Sequence, residues 1–354
     1  MKIIKKIKEC KKIIAGLKKS GQTIGLVPTM GYLHEGHLSL VKAARLDCDK
    51  VFMTIFVNPT QFGPDEDFEK YPRDTEGDTA LAESNGVDYI FAPGTEEVYR
   101  KDSKTFVEVE GLSAPMCGKK RPGHFRGVAT IVLKLFNIVG ADKSYFGEKD
   151  YQQLAIIKKM AADLDLDIKI ITCPTIREKD GLALSSRNKY LSKKERENAP
   201  VIYETLLKAK KMIQDGEEDY KYIKTFASGK IKQTRQVKKI DYFDIRDGET
   251  LKEIINRKES KNITIIWWQR NFKNDNFKKR ELNHNWILTA THCTITIFKA
   301  SPTAPILKPN SLVGAKNKNA KNIPTKSVLT PIFLMSFVCP DAKRTEPHNR
   351  PYVW

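Results

Sequence analysis

An α/β architecture, with a mostly parallel sheet covered by helices on both faces and a smaller α+β domain after it, is the fold class this sequence predicts. Three observations carry the prediction. Short β-rich runs alternate with helical stretches from residue 23 to residue 172. Several of these segments stop at turn formers: Pro28, Asn58-Pro59 and Gly86. The texture then changes after Cys173-Pro174, where helical stretches lead into one alternating strand.

The elements follow in order. At the start, Ile3, Ile4, Ile7, Ile14 and Leu17 recur at helical spacing and predict an amphipathic helix lying on the body of the protein. Thr23 to Val27 is a short apolar run, read as a buried strand, and Gly36 to Arg45 is a helix with Leu38, Val41 and Ala44 along one side. Val51 to Val57 is a second strand, Asp74 to Asn85 a helix, and Val87 to Phe91 a third strand. Thr130 to Val139 is apolar throughout, as in a buried helix. Ser144 to Phe146 is a strand feeding a helix from about Asp150 to Leu164, and Ile168 to Thr172 is the next strand. In the second part, Lys193 to Ile213 and Tyr220 to Lys232 read as helices and Ile240 to Ile245 as a strand.

Composition narrows the class of function. The chain has 354 residues, enough for two domains, with 40% hydrophobic and 30% charged residues. The longest apolar candidate for a span, Leu329 to Cys339, is too short and contains Pro331, so no membrane partner is expected. The start lacks a continuous apolar stretch with a cleavage site and does not read as a signal peptide. The six cysteines are scattered and form no C-x-x-C pair, which fits a reduced, cytoplasmic protein. The net charge of +19 invites a nucleic-acid reading, but residues 256–354 hold 17 of the 62 Lys and Arg and only 5 of the 43 Asp and Glu. The excess belongs mainly to the tail, and a nucleic-acid partner is not expected.

Four segments carry residues suited to chemistry. PTMGYLHEGHLSLV, Pro28 to Val41, places an H-x-G-H pair, His34 and His37, around a helix start. Helix N-termini present free amides and partial positive charge to an anion, Gly36 permits close approach, and two imidazoles can donate to a phosphate as its charge builds. Two polar histidines in a loop is the plain alternative; a zinc pair or a Ser/His/Asp triad lacks a third partner at workable spacing. YFGEKDYQQL, Tyr145 to Leu154, sets Lys149 and Asp150 where a strand yields to a helix, with Gln153 on the same side. Helix capping alone would also explain that Lys and Asp. GLALSSRNKYL, Gly181 to Leu191, offers Ser185, Ser186 and Arg187 as a clamp for a triphosphate, or simply a surface turn. VNPTQF, Val57 to Phe62, puts Asn58 and Gln61 at the carboxyl edge of the sheet, and RPGHFRGVAT adds His124 and Arg126, which either cover the site or pair with nearby acids.

Taken in order, PTMGYLHEGHLSLV, VNPTQF, RPGHFRGVAT, FGEKDYQQL, GLALSSRN and IDYFDIRDGETL (Ile240 to Leu251) resemble the pantothenate synthetase family over about residues 1–254. The resemblance implies a Rossmann-like nucleotidyltransferase domain, a smaller lid-like domain, ATP as co-substrate, Mg²⁺ and a homodimer. It implies a first ATP-binding segment of Met30, Gly31, Tyr32, Leu33, His34, Glu35, Gly36 and His37, with His37 as proton donor. A second comprises Gly147, Glu148, Lys149 and Asp150. Ile176, Leu184, Ser185, Ser186 and Arg187 complete the nucleotide site; the family usually has Met at the position of Leu184, a volume-conserving exchange. Gln61 is expected on pantoate and β-alanine, and Gln153 on pantoate. His34, His37, Lys149, Ser186 and Arg187 are the implied catalytic set, neutralising phosphate charge while pantoate is adenylated and then joined to β-alanine. No protein ligand of the metal is implied.

Two other functions remain open at this point: another H-x-G-H adenylyl- or cytidylyltransferase, or an inactive binding protein with an altered C-terminus. An aminoacyl-tRNA synthetase relative is disfavoured by the lack of an evident anticodon-binding module. The sequence departs from the family beyond IDYFDIRDGETL. All four tryptophans and eight of the 17 prolines lie past residue 255, where acids are scarce and apolar periodicity is poor. The expected division is therefore 1–176 for the ATP- and pantoate-binding domain, 177–254 for an incomplete lid-like domain, and 255–354 for an atypical, weakly ordered basic tail of frameshift or fusion character.

Overall fold

A computed structural model describes residues 1–64, 66–234, 240–256, 259–260, 262–268 and 293–298, with 267–268 and 293–298 given by backbone alone. The remainder of the expected tail, including Leu329 to Cys339, Trp286 and Trp354, lies outside the described residues.

Along the first part, β1 (Lys2–Ile4), α1 (Ile7–Lys19), β2 (Ile24–Thr29), α2 (Glu35–Asp47), β3 (Lys50–Ile55), α3 (Thr75–Ser84) and β4 (Tyr89–Phe91) succeed one another. The short helices α4 (Thr95–Val98) and α5 (Cys117–Lys120) precede α6 (His124–Val139), β5 (Lys143–Gly147), α7 (Tyr151–Asp163) and β6 (Lys169–Cys173). The six strands form one parallel sheet in the order β1-β4-β3-β2-β5-β6. Between β2 and β5 the winding reverses, and in open α/β sheets a ligand crevice opens at that point, outside the carboxyl ends of the strands. Pairing of β2 with β5 ends at Leu26↔Ser144. Pro28, which has no N–H to donate, falls just past that last pair, where the two strands part and no ladder bond is needed.

Side chains alternate between two cores, as the period of a strand requires. Leu26, Phe52, Phe91 and Phe146 pack with α1, α6 and α7 on one face. Val27, Met53, Ile90 and Tyr145 pack with residues of α2 and α3 on the other. Both faces are therefore covered, and the parallel α/β class read from the sequence holds.

The second part contains α8 (Lys193–Asn198), α9 (Val201–Gln214), α10 (Tyr220–Lys232), β7 (Tyr242–Asp247), β8 (Asn262–Trp268) and β9 (Cys293–Phe298). The last three form an antiparallel sheet in that order. A separate core joins Ile202, Leu206, Ile213, Tyr220, Ile223 and Ile231 of the helices to Phe243, Ile245, Ile263 and Ile265 of the strands.

Several elements differ from the sequence reading. Ile3 and Ile4 belong not to the first helix but to β1, which pairs in register with β4. Their spacing matches a helix by coincidence, while edge pairing with a distant strand leaves no local signal. The stretch from Lys193 to Ile213 is two helices, because Pro200 cannot donate within a helix and so starts a new one. Helix α6 begins at His124, six residues before the apolar run. Strand β8 starts beyond residue 254, where the sequence reading closes the second domain. Its β-rich run ITIIWW is hidden between polar flanks, yet Ile263, Ile265 and Ile266 are buried. Cys10, Cys48, Cys117 and Cys173 are free and buried. No helix among the described residues is long and apolar enough to cross a membrane.

Candidate active site

The β2–α2 connection begins where β2 leaves the sheet. Gly31 has φ +82° and Tyr32 φ +53°, so two successive residues take the left-handed conformation. For Tyr32 this costs on the order of 1 kcal/mol and must be compensated by the surroundings. The chain then enters α2 through an unusual cap. The amide of Gly36 donates to His34 Nδ1 at 3.1 Å, and the amide of His34 donates to His37 Nδ1 at 3.3 Å. The rings lie 4.1 Å apart, centre to centre. An Nδ1 that accepts carries no proton, so each neutral ring keeps its N–H on Nε2 as its remaining donor. Burial, and next the charge of Lys149, hold the His34 pKa down to about 4. Burial, then His34 and Lys149, push His37 well below the usual imidazole range. Both rings are therefore neutral hydrogen-bond donors near pH 7.

A cavity of about 250 Å³ opens beside these rings, over the ends of β2 and β5. Met30, His34, Gly36 and His37 line it from the first connection, and Gly147, Lys149 and Asp150 from the end of β5. Gln153, one turn into α7, faces it as well. Lys149 Nζ stands 3.6 Å from the Asp150 carboxylate. The opposite wall comes from a short loop pair: the amide of Leu184 donates to the carbonyl of Ile176 at 3.0 Å, which brings Ile176, Leu184, Ser185, Ser186 and Arg187 to the same space. Ser185 Oγ accepts from the amide of Arg187 and so caps the helical turn Ser186–Tyr190. Arg187 is held by Asp67, with Nη2–Oδ1 at 3.1 Å and Nε–Oδ2 at 3.3 Å.

Gln61 completes the floor. Its Oε1 accepts from Asn58 Nδ2 at 3.1 Å, and its Nε2 lies 3.1 Å from Met30 Sδ. The Gln61 carbonyl receives His124 Nδ1 at 2.8 Å. Arg121, which pairs with Glu66 through two hydrogen bonds, also meets His124 Nε2 at 3.0 Å. Helix α6 approaches this turn so closely that a Cβ on Gly127 would stand 2.2 Å from the Thr60 carbonyl oxygen.

The structure thus gathers fourteen of the expected site residues in one cavity, from segments as distant as residues 30 and 187. Gly31, Tyr32, Leu33, Glu35 and Glu148 do not line it. Leu33 is buried in the core, and Glu35 pairs at the surface with Lys42 at 3.4 Å. The Tyr32 ring sits under the Lys189 ammonium at 4.0 Å, and burial raises the Glu148 carboxyl pKa. Arg126 stacks on Phe106 at 4.1 Å and is not among the lining residues, whereas His124 is. Sequence reading passed over Tyr71, Arg121 and Gln152, which line the cavity, and over Asp78, whose carboxylate receives the amides of Tyr32 and Leu33. RPGHF and the DxxxD spacing from Asp74 to Asp78 are their only local traces.

A parallel sheet wound both ways, with an imidazole-, lysine- and arginine-lined crevice at its switch point, defines a nucleotide-dependent enzyme of the Rossmann-like class. The family model Pantoate-beta-alanine ligase matches residues 2–273, and the chain belongs to that family. A pantothenate synthetase of Caldicellulosiruptor bescii is 55% identical over 266 residues, 75% of this chain and 94% of the relative. The crystal structure of the Thermus thermophilus enzyme superposes with a TM-score of 0.73 at 38% identity, covering 83% of this chain and 99% of that one. The Francisella tularensis pantoate-beta-alanine ligase, complexed with beta-gamma ATP and beta-alanine, gives a TM-score of 0.63 at 32% identity over 84% and 97%.

Proposed function

We propose that this chain joins pantoate to β-alanine at the expense of ATP, in two steps within the cavity at the β2–β5 switch point. Family membership supports the overall reaction. The observation that carries the site is the convergence of His34, His37, Lys149, Ser186 and Arg187, from three separate segments, on one space. In the first step a pantoate carboxylate oxygen bonds to the α-phosphorus of ATP and the bond to the β-phosphate bridging oxygen breaks, giving pantoyl adenylate and pyrophosphate. In the second, the neutral amine of β-alanine attacks the acyl carbon. The acyl–oxygen bond breaks, AMP leaves, and the new amide nitrogen gives up a proton. No covalent bond to the protein is required, so positioning and charge stabilisation account for the catalysis.

The residues divide the work by chemistry. Neutral His34 and His37 donate through Nε2–H to phosphate oxygens as charge develops, and Lys149 supplies a full positive charge. Ser186 and Arg187 hold the polyphosphate, Arg187 exchanging Asp67 for it. Gln61 and Gln153, neutral amides lining the cavity, suit the hydroxyls and carboxylate of pantoate, and the family resemblance assigns Gln61 to β-alanine as well. Gly147 and the Ile176–Leu184 pair supply main-chain groups and apolar surface for the nucleoside. The resemblance implies that ATP would bind with Mg²⁺. Among the described residues no cluster of three metal-ligating side chains forms. Magnesium commonly takes only one or two carboxylates and otherwise phosphates and water, so the one cavity carboxylate, Asp150, fits that requirement. The metal would supply charge neutralisation on the phosphates. We further infer a cytoplasmic homodimer, with the nucleotide domain ending near residue 176 and the smaller domain closing over it.

The deciding assay is AMP release from ATP and pantoate, with and without β-alanine, by the full chain. Steady release of AMP only when β-alanine is present supports the ligase. Equal turnover without it defeats that reading, and light scattering at a monomer mass would remove the dimer.

A further inference from the structure

The β2–α2 turn needs something to hold it. Gly31 and Tyr32 both have positive φ, and Tyr32 gains nothing intrinsic from that conformation. What faces the turn is Asp78, in the first turn of α3 and 3% exposed. Its Oδ2 receives the Tyr32 amide at 2.8 Å and its Oδ1 the Leu33 amide at 2.7 Å, so one carboxylate spans the two amides that the left-handed pair exposes. The fit is tight: a Cβ on Gly31 would stand 2.8 Å from Oδ2 and 3.1 Å from Ile55 Cγ2. Burial pushes the Asp78 carboxyl pKa up; the Leu33 and Tyr32 amides act against that rise, and the nearby Asp74 adds to it. A buried carboxylate answered by amides rather than by a cation is an expensive way to fasten a loop. Asp78 does not line the cavity, whereas Met30 and His34, on either side of the turn, both do.

We propose that Asp78 is a positioning residue for the nucleotide. Its carboxylate fixes the Gly31–Leu33 turn and so sets where Met30 and the His34–His37 pair face the polyphosphate. This rests on assigning the Met30–His37 segment to ATP.

Asp78→Asn keeps the shape but puts an NH₂ against one of the two amides. With ATP and β-alanine varied separately in the full chain, kcat/KM for ATP is expected to fall about ten-fold or more, since bonds to a charged acceptor are worth that much. KM for β-alanine, which enters the second step, should change less than about three-fold. Equal effects on both substrates, or none, overturn the proposal. Amide exchange in the unaltered protein gives a second reading that survives a variant's failure to fold. The Tyr32 and Leu33 amides should exchange as slowly as those of β2, and exchange as fast as exposed loop amides overturns the proposal. His37→Ala separates the two layers. If it leaves kcat/KM for ATP intact, the site assignment and this inference both fall; if it impairs ATP use while Asp78→Asn does not, only the role of Asp78 falls.

Discussion

The imidazoles of His34 and His37 are each tied through Nδ1 to a backbone amide, which leaves Nε2–H toward other partners and makes protonation costly. With the His34 pKa near 4 in the fold against 6.5 in the unfolded chain, the folded state binds fewer protons between those values. Stability is therefore lost as pH falls through that window and is complete above it. Thermal melts from pH 7.5 to pH 4.5 should show a falling Tm, and His34→Gln, which cannot titrate, should flatten the slope. An unaltered slope would remove His34 as its source. Removing the second donor by His37→Ala should lower kcat by on the order of 10²–10³-fold with little change in Tm, measured by AMP release.

At the scale of elements, two contacts shape the two walls of the cavity proposed for pantoate and for phosphate. The approach of α6 to the Pro59–Gln61 turn leaves no room at Gly127, where a Cβ would also lie 2.6 Å from the Gln61 amide nitrogen. Gly127→Ala must push that turn or the helix aside. We expect a stability loss of about 1–3 kcal/mol by denaturant melt and a displaced Gln61, with kcat/KM for pantoate down on the order of 10²-fold. On the other wall, the segment following Gln61 is fastened twice, by Glu66 to Arg121 and by Asp67 to Arg187. On the proposed assignment of Arg187 to the polyphosphate, ATP takes Arg187 from Asp67. Asp67→Asn should therefore lower KM for ATP by about two- to five-fold, and a raised KM would show that the pair supports binding instead of competing with it.

For the whole molecule, two cores depend on β8. Ile263 and Ile265, 4% and 0% exposed, belong to the second core, and Ile266, 1% exposed, to the core with α1, α6 and α7; each such side chain is worth about 1.5–3 kcal/mol when buried. A chain stopped after residue 254 forfeits roughly 5 kcal/mol, comparable with the total stability of many domains. It also bares the edge of β7. We expect it to aggregate or melt far below the full chain. A chain ending at residue 300 keeps the whole family match, 2–273, and every strand among the described residues, and should retain kcat. Differential scanning calorimetry and turnover of both truncations check this.

The sequence by itself determined the parallel α/β class and the polar groups around which the cavity is built, because those signals are local. Strand and helix periodicities repeat every two or about four residues, and the H-x-G-H, EKD and SSR groups carry their chemistry within single loops. It could not reveal β1, whose hydrogen bonds go to a strand 87 residues away in register, nor β8, whose burial depends on pairing with β7 and packing against α9. Asp78 was equally hidden: an aspartate in the first turn of a helix is ordinary until the fold sets it against two amides 45 and 46 residues earlier. The His34 and His37 tautomers, the capture of Arg187 by Asp67 and the closeness of Gly127 to Thr60 were likewise settled only by tertiary structure. Hydrogen-bond geometry and desolvation depend on what surrounds a group in space, and chain order carries no record of those distances.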